Sequence, residues 1–195
     1  QENPKIASAY LLLGKARYLD QRFIPALDAF NQVEKQMALK EELDESIIWK
    51  AKCNIRLEQE GLAIELLKKL LKKEKINQKN KAHANAVLAM AYFQLDELAS
   101  SEEALKIASG LEMNKITQAR YLYILGQFLE KQSKLDSANR YFKKVTEFKR
   151  KIPREFYINA KLKNLLYDPL KIKNKEDQII KMIKNYENDD WQYGI

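Results

Sequence analysis

Small and apolar side chains recur along this chain at spacings of four and then three. Ala26, Phe30 and Val33 form one such triplet. Ala63, Leu67 and Leu70 repeat it, as do Ser101, Leu105 and Ala108, and then Ala138, Phe142 and Val145. Positions i, i+4 and i+7 share one face of an α-helix, so each triplet marks a buried stripe with a wet face opposite. A further small residue (Gly14, Ala51, Ala89 or Gly126) lies upstream of each triplet. The pattern predicts paired helices over 7–20 and 23–37, 44–58 and 61–75, 80–94 and 98–110, and 115–131 and 134–148. A degenerate fifth pair is expected over 153–167 and 175–187. Pro25 is tolerable early in its helix, and Pro153 suits a first helical position. Asp168-Pro169 should stop one helix, and Asn174 can cap the next.

The first and fourth units match in register. Leu13-Gly14, Ala26, Phe30 and Val33 correspond to Leu125-Gly126, Ala138, Phe142 and Val145, each 112 residues later. The series Ala26, Ala63, Ser101 and Ala138 advances by 37, 38 and 37 residues. A period in this range is the mark of stacked helix pairs. The small residues let two antiparallel helices approach, and the large one (Phe30, Leu67, Leu105 or Phe142) fills the gap against the next unit. No unit buries its stripe alone, so the units must stack. The expected fold is all-α, a right-handed α-α superhelix of about ten helices. It would be one solenoid over 1–195, with repeats at about 7–40, 44–78, 80–112 and 115–150 and a degenerate fifth at 152–190.

Composition narrows the class. Only 5 Gly and 4 Pro occur in 195 residues, which disfavours a hairpin-rich β fold. The formal charge is +8, compatible with acidic proteins, nucleic acid or anionic lipid without choosing among them. A single cysteine, Cys53, excludes an internal disulfide framework and a cysteine-based zinc site. No apolar run reaches the roughly 20 residues of a membrane helix. The start, QENPKI, lacks a secretion signal, so the chain is expected to be cytosolic or a mature or excised piece of a longer precursor. The end, DDWQYGI, reads as the beginning of another helix.

The first and fourth units resemble tetratricopeptide repeats. A closer likeness lies in running phrases such as AYLLLGKARYLDQRFIPAL, IIWKAKCNIRLEQEGLAIELLKKLLK, ARYLYILGQFLEKQSKLDSANRYFKKV and IPREFYINAKL. Over roughly 3–165 the chain resembles the amino-terminal repeat region of the SprE/PorW lipoproteins of Bacteroidetes. It departs from them around QMALKEELDE and after residue 165. The resemblance implies a periplasm-facing outer-membrane lipoprotein serving type IX secretion and gliding motility. Its partners would be other proteins, secretion-machinery components among them. Membrane attachment would run only through a lipid on a cysteine upstream of Gln1.

In such an array the first helices line a concave face. By register that face offers Leu11, Lys15 and Tyr18, then Ile48, Lys52 and Arg56, then Ala86, Met90 and Phe93, then Tyr123, Gln127 and Lys131. This mixture suits an extended or helical peptide, although several of these positions read equally as core or as ordinary wet surface. The carboxylate-clamp pattern of cochaperones is absent: Leu11 stands at its first Lys position, Lys15 at its Asn position, and Trp49 where a further Asn is required. The run LLKKLLKKEKINQKNK at 66–81 reads as a leucine face in the core with a lysine face in water, or as a basic helix on an anionic membrane. It lacks the interleaved aromatics of a nucleic-acid surface. The basic stretch KRKIPREFYINAKLKN, with Phe156 and Tyr157, reads as a cap or a junction, and Ile179, Ile180, Met182 and Ile183 leave an apolar face beyond it. His83 is the only histidine and no glycine-rich phosphate loop exists, so neither enzymatic activity, nor a cofactor, a metal or a small-molecule substrate is expected. The pairs Glu41-Glu42, Glu102-Glu103 and Asp189-Asp190 diverge around a helix and suit solvation or capping. Cys53 reads as a small buried residue.

Overall fold

The computed structural model describes residues 5–36, 38–167 and 175–186. Asp168-Pro169, Asn174 and the closing DDWQYGI lie outside the described residues. The described residues form ten α-helices: α1 (Lys5–Leu19), α2 (Phe23–Glu34), α3 (Lys40–Arg56), α4 (Glu60–Leu71), α5 (Gln78–Gln94), α6 (Leu98–Leu111), α7 (Lys115–Lys131), α8 (Leu135–Glu147), α9 (Arg154–Tyr167) and α10 (Lys175–Tyr186). A 3₁₀ turn at Lys149–Lys151 precedes α9. Packing groups the chain into two compact units, 1–113 and 114–195.

Each of the first four pairs closes through the same turn. The residues Gln21, Glu58, Asp96 and Ser133 all have φ between 58° and 60°. The following N–H reaches back five residues in every case: Arg22 to the Arg17 carbonyl, Gln59 to Asn54, Glu97 to Tyr92 and Lys134 to Leu129, at 2.8–2.9 Å. The left-handed residue itself donates to the carbonyl three back, as in Gln21 to Tyr18 at 3.0 Å and Ser133 to Glu130 at 2.9 Å. These two bonds make a Schellman turn, which satisfies carbonyls that the first helix leaves open.

The second helix of each pair then brings its small residue to the first. Ala26, Ala63 and Ala138 are fully buried and Ser101 is 4% exposed. The Ser101 hydroxyl donates to the Ala89 carbonyl at 2.8 Å, which lets a polar residue stand at an apolar position. Gly14 and Gly126 face phenylalanines: a Cβ on either would meet the Phe30 or Phe142 ring at under 3.0 Å. In the second and third pairs the position carries Ala51 or Ala89, and the partner shrinks to Leu67 or Leu105. The packing thus conserves a sum of volumes across the two helices.

In the first unit, α3 lies between α1 and α5 as one layer, and α2 and α4 each pack on their own first helix and on the next one. Helix α3 begins at Lys40, four residues before the expected 44, because the Glu42 carboxylate accepts the Leu39 N–H at 3.0 Å and caps the end. Asn77 and Asn114 cap α5 and α7, their side chains accepting from Asn80 at 2.7 Å and from Ile116 and Thr117 at 3.0 and 3.1 Å. Asp44, 2% exposed, accepts from Lys73 at 2.7 Å and ties the start of α3 to the end of α4. The lysine run is therefore not one amphipathic helix. Helix α4 stops at Leu71, Lys79 and Lys81 belong to α5, and Lys68 lies 5.5 Å from the Tyr92 ring centre. Pro153 stands just before α9 rather than inside it, its carbonyl accepting the Tyr157 N–H at 3.3 Å.

Candidate functional site

In the first unit a row of rings runs across four helices, α1, α2, α3 and α5. Phe23 at the start of α2 meets Tyr18 of α1 edge-on at 5.5 Å. Tyr18 meets Trp49 of α3 at 5.3 Å, and Trp49 meets His83 of α5 at 6.0 Å. Phe30, from the core, stacks on Trp49 at 6.2 Å and anchors the row from below. Spacing on α3 explains the middle of it: Glu45, Trp49, Lys52 and Arg56 fall at steps of four, three and four, along one stripe.

Cations sit on these rings. Lys52 Nζ lies 3.6 Å from the Trp49 ring centre and 4.9 Å from that of Tyr18. The Arg56 guanidinium lies 5.3 Å over Phe23, and Lys15 lies 5.9 Å over Trp49. Such contacts hold flexible stems in place while the charge persists. Glu45 is the carboxylate among them, bonded by Lys15 at 2.7 Å and approached by the Trp49 indole N–H at 3.4 Å. Burial alone would raise its pKa, but the bonds from Lys15 and Trp49 outweigh that and hold it below the usual carboxylate range. Burial, then the charges of Lys52, Lys15 and Lys79, lowers His83 to about 4 against a smaller opposing pull from Glu45, so the imidazole is neutral at pH 7. Burial raises the Tyr18 phenol.

The positions read from the sequence as groove separate accordingly. Lys15, Tyr18 and Lys52 are half-buried within this cluster and Arg56 is exposed at its edge. Met90 and Phe93 of α5 are exposed, and Ala86 is half-buried. Leu11 and Ile48 are not groove residues: both are buried, Ile48 fully and Leu11 among Ala7, Ala26, Phe30 and Val33. The stripe through 11 and 48 starts on the side of the first helix that faces the second, so register alone carried it one position into the core. Phe23, Glu45, Lys79 and His83 complete the cluster from outside the register positions, together with Trp49, which the sequence sets only at the clamp position. The i, i+4 link from Glu45 to Trp49 was the signal available for two of them.

In the second unit, Tyr123 is half-buried between Phe142 and Phe156, at 5.5 and 5.8 Å, while Gln127 and Lys131 are exposed. Glu130 accepts from Lys163 at 2.5 Å and from the Tyr167 hydroxyl. A cleft of about 370 Å³ lies among α8, α9 and α10, lined in part by Thr146, Tyr157 and Met182. Cys53 is buried, and burial pushes its thiol up to about 11, which keeps it protonated and a poor nucleophile. Among the described residues no group of three or more His, Cys, Asp or Glu is placed to hold a metal, and no helix is long and apolar enough to cross a membrane.

No family profile and no curated protein matches the sequence. Solved structures do resemble it in fold. A crystal structure of MamA protein has a TM-score of 0.65 at 21% identity, over 98% of this chain and 97% of that one. The TPR-like repeats of a putative kinesin light chain from Podosopora anserina score 0.70 at 12% identity, over 97% and 98%. YrrB, described as a TPR protein with an unusual peptide-binding site, scores 0.59 at 16% identity, over 93% and 87%. The fold is thus all-α, of the α-α superhelix class built from tetratricopeptide-type repeats.

Proposed function

We propose that this protein is a non-catalytic interaction scaffold that holds a segment of a partner protein on the inner face of α1, α3 and α5. The observation that carries this reading is the row Phe23, Tyr18, Trp49 and His83 with Lys52, Arg56 and Lys15 held on its rings. Half-buried aromatic bodies with polar tips are the composition of protein-binding hot spots. YrrB, similar in fold, supports the reading through its peptide-binding site. The finer identity is a periplasm-facing lipoprotein component of type IX secretion and gliding motility. It rests on the SprE/PorW-like phrases AYLLLGKARYLDQRFIPAL and ARYLYILGQFLEKQSKLDSANRYFKKV. The test is cross-linked capture from periplasmic extract with the wild type and Trp49→Ala. Recovery of a secretion component that the variant loses is the expected result. Equal recovery by both removes the inner face from the function, and recovery of no secretion component removes the machinery.

A further inference from the structure

We infer that the inner face of the first unit takes an acidic segment of its partner, with Lys52 and Arg56 as the pair that receives its carboxylates. This rests on the scaffold reading above and goes further by naming the chemistry of the segment.

The formal charges along the face are Lys15, Lys52, Arg56 and Lys79 against Glu45 and, at the start of α3, Glu42, which the Ser8 hydroxyl of α1 bonds. Lys15 reaches Glu45 at 2.7 Å. Lys52 and Arg56 stand one turn apart on α3, a separation of about 5–6 Å between their Cβ atoms. Alternate side chains of an extended segment lie about 6.6 Å apart, so two carboxylates at i and i+2 match the pair. Both cations are seated on rings, Lys52 at 3.6 Å from Trp49 and Arg56 at 5.3 Å from Phe23. Folding has already restricted these stems, which lowers the entropy that binding would otherwise lose. The guanidinium adds a planar fork suited to carboxylate.

Nucleic acid is the competing polyanion, and the rings argue against it. Bases bind single-strand surfaces by stacking on open aromatic faces. Here Trp49 already carries Phe30 stacked at 6.2 Å and Lys52 over its ring, while Tyr18 meets both its neighbours edge-on. A peptide that needs salt contacts and apolar edges fits this surface better than a base does.

The experiment uses the full chain with Trp191→Phe, so that Trp49 alone reports by fluorescence. The probes are a peptide of about a dozen residues with Glu alternating with Ala and Leu, its Gln isostere, and a single-stranded oligonucleotide. The Glu peptide is expected to bind at least about tenfold more tightly than the Gln peptide. Lys52→Gln with Arg56→Gln, and Arg56→Gln alone to a lesser degree, should remove that preference. Lys69→Gln with Lys72→Gln, at exposed positions on and just beyond α4, should leave it intact. Equal binding of the Gln peptide overturns the acidic preference while leaving the scaffold reading in place. Equal weakening by the α4 variant reduces the effect to net charge and overturns the pair. Tighter binding of the oligonucleotide overturns the peptide class. Absence of binding by either peptide overturns the inference, and the Trp49→Ala capture result then decides the scaffold reading separately.

Discussion

Gly14 and Phe30 share one volume, as do Gly126 and Phe142, and this pairing sets what each residue tolerates. Phe30 is fully buried, so its ring cannot swing into water to admit a methyl group. Gly14→Ala should therefore destabilise the protein by about 1–3 kcal/mol, despite alanine's better helix propensity. Adding Phe30→Leu reproduces the Ala51–Leu67 pairing of the second repeat and should recover part of that loss. Urea midpoints of the two single variants and the double variant would read this as a coupling. The sequence revealed these positions because four copies could be aligned. It did not reveal why they vary together, since the clash is visible only when the ring is placed. The titration of His83 also belongs at this scale. Its folded pKa, about 4, lies below the ordinary value of 6.5, so the unfolded chain takes up the proton first as pH falls. Stability is full above pH 6.5 and declines between 6.5 and 4, by an amount on the order of 3 kcal/mol at most. Comparing urea midpoints at pH 7 and pH 4.5 for the wild type and His83→Gln would check it. The variant should lose this part of the pH dependence, and the sole histidine resonance should titrate near pH 4 in the wild type.

The recurring Schellman turn governs the elements. All four left-handed positions carry side chains, and none is glycine. Left-handed backbone costs such residues about 1–2 kcal/mol, and glycine's extra freedom in the unfolded chain offsets only part of the gain. Glu58→Gly should accordingly raise stability by roughly 0.5–1 kcal/mol, seen as a higher melting temperature. The same absence of glycine hid these turns from the sequence, where Gln21, Glu58, Asp96 and Ser133 look like ordinary surface. Helix existence was legible from the triplets, and helix ends were not. The start of α3 depends on a Glu42 side chain folding back to Leu39, and beyond the end of α4 Lys73 reaches Asp44. Lys73→Met leaves that buried carboxylate without its ammonium partner and should cost about 3 kcal/mol, whereas Lys69→Met should cost little. Thermal melts of the two variants would separate them.

Across the molecule, the main helix packing joins elements close in sequence, as in α1 to α3, α3 to α5 and α7 to α9. Chains dominated by such local contacts fold quickly, and refolding here should finish within about a few milliseconds in stopped-flow fluorescence. At this scale the sequence showed the fold class plainly, because a period of 37 or 38 residues leaves few architectures. The proposed binding face was half legible. Lys15, Tyr18, Lys52 and Arg56 follow from register, while Trp49 and His83 join them only when α1, α3 and α5 are set side by side. The turns carry one more consequence. Gln21 and Glu58 are equivalent points on the backbone, so the stretch from Arg22 through Glu58 begins and ends at the same geometry. A tandem duplication of that stretch would splice like to like and lengthen the array by one unit. The protein's size is thus something its gene can change in whole steps, without inventing a junction.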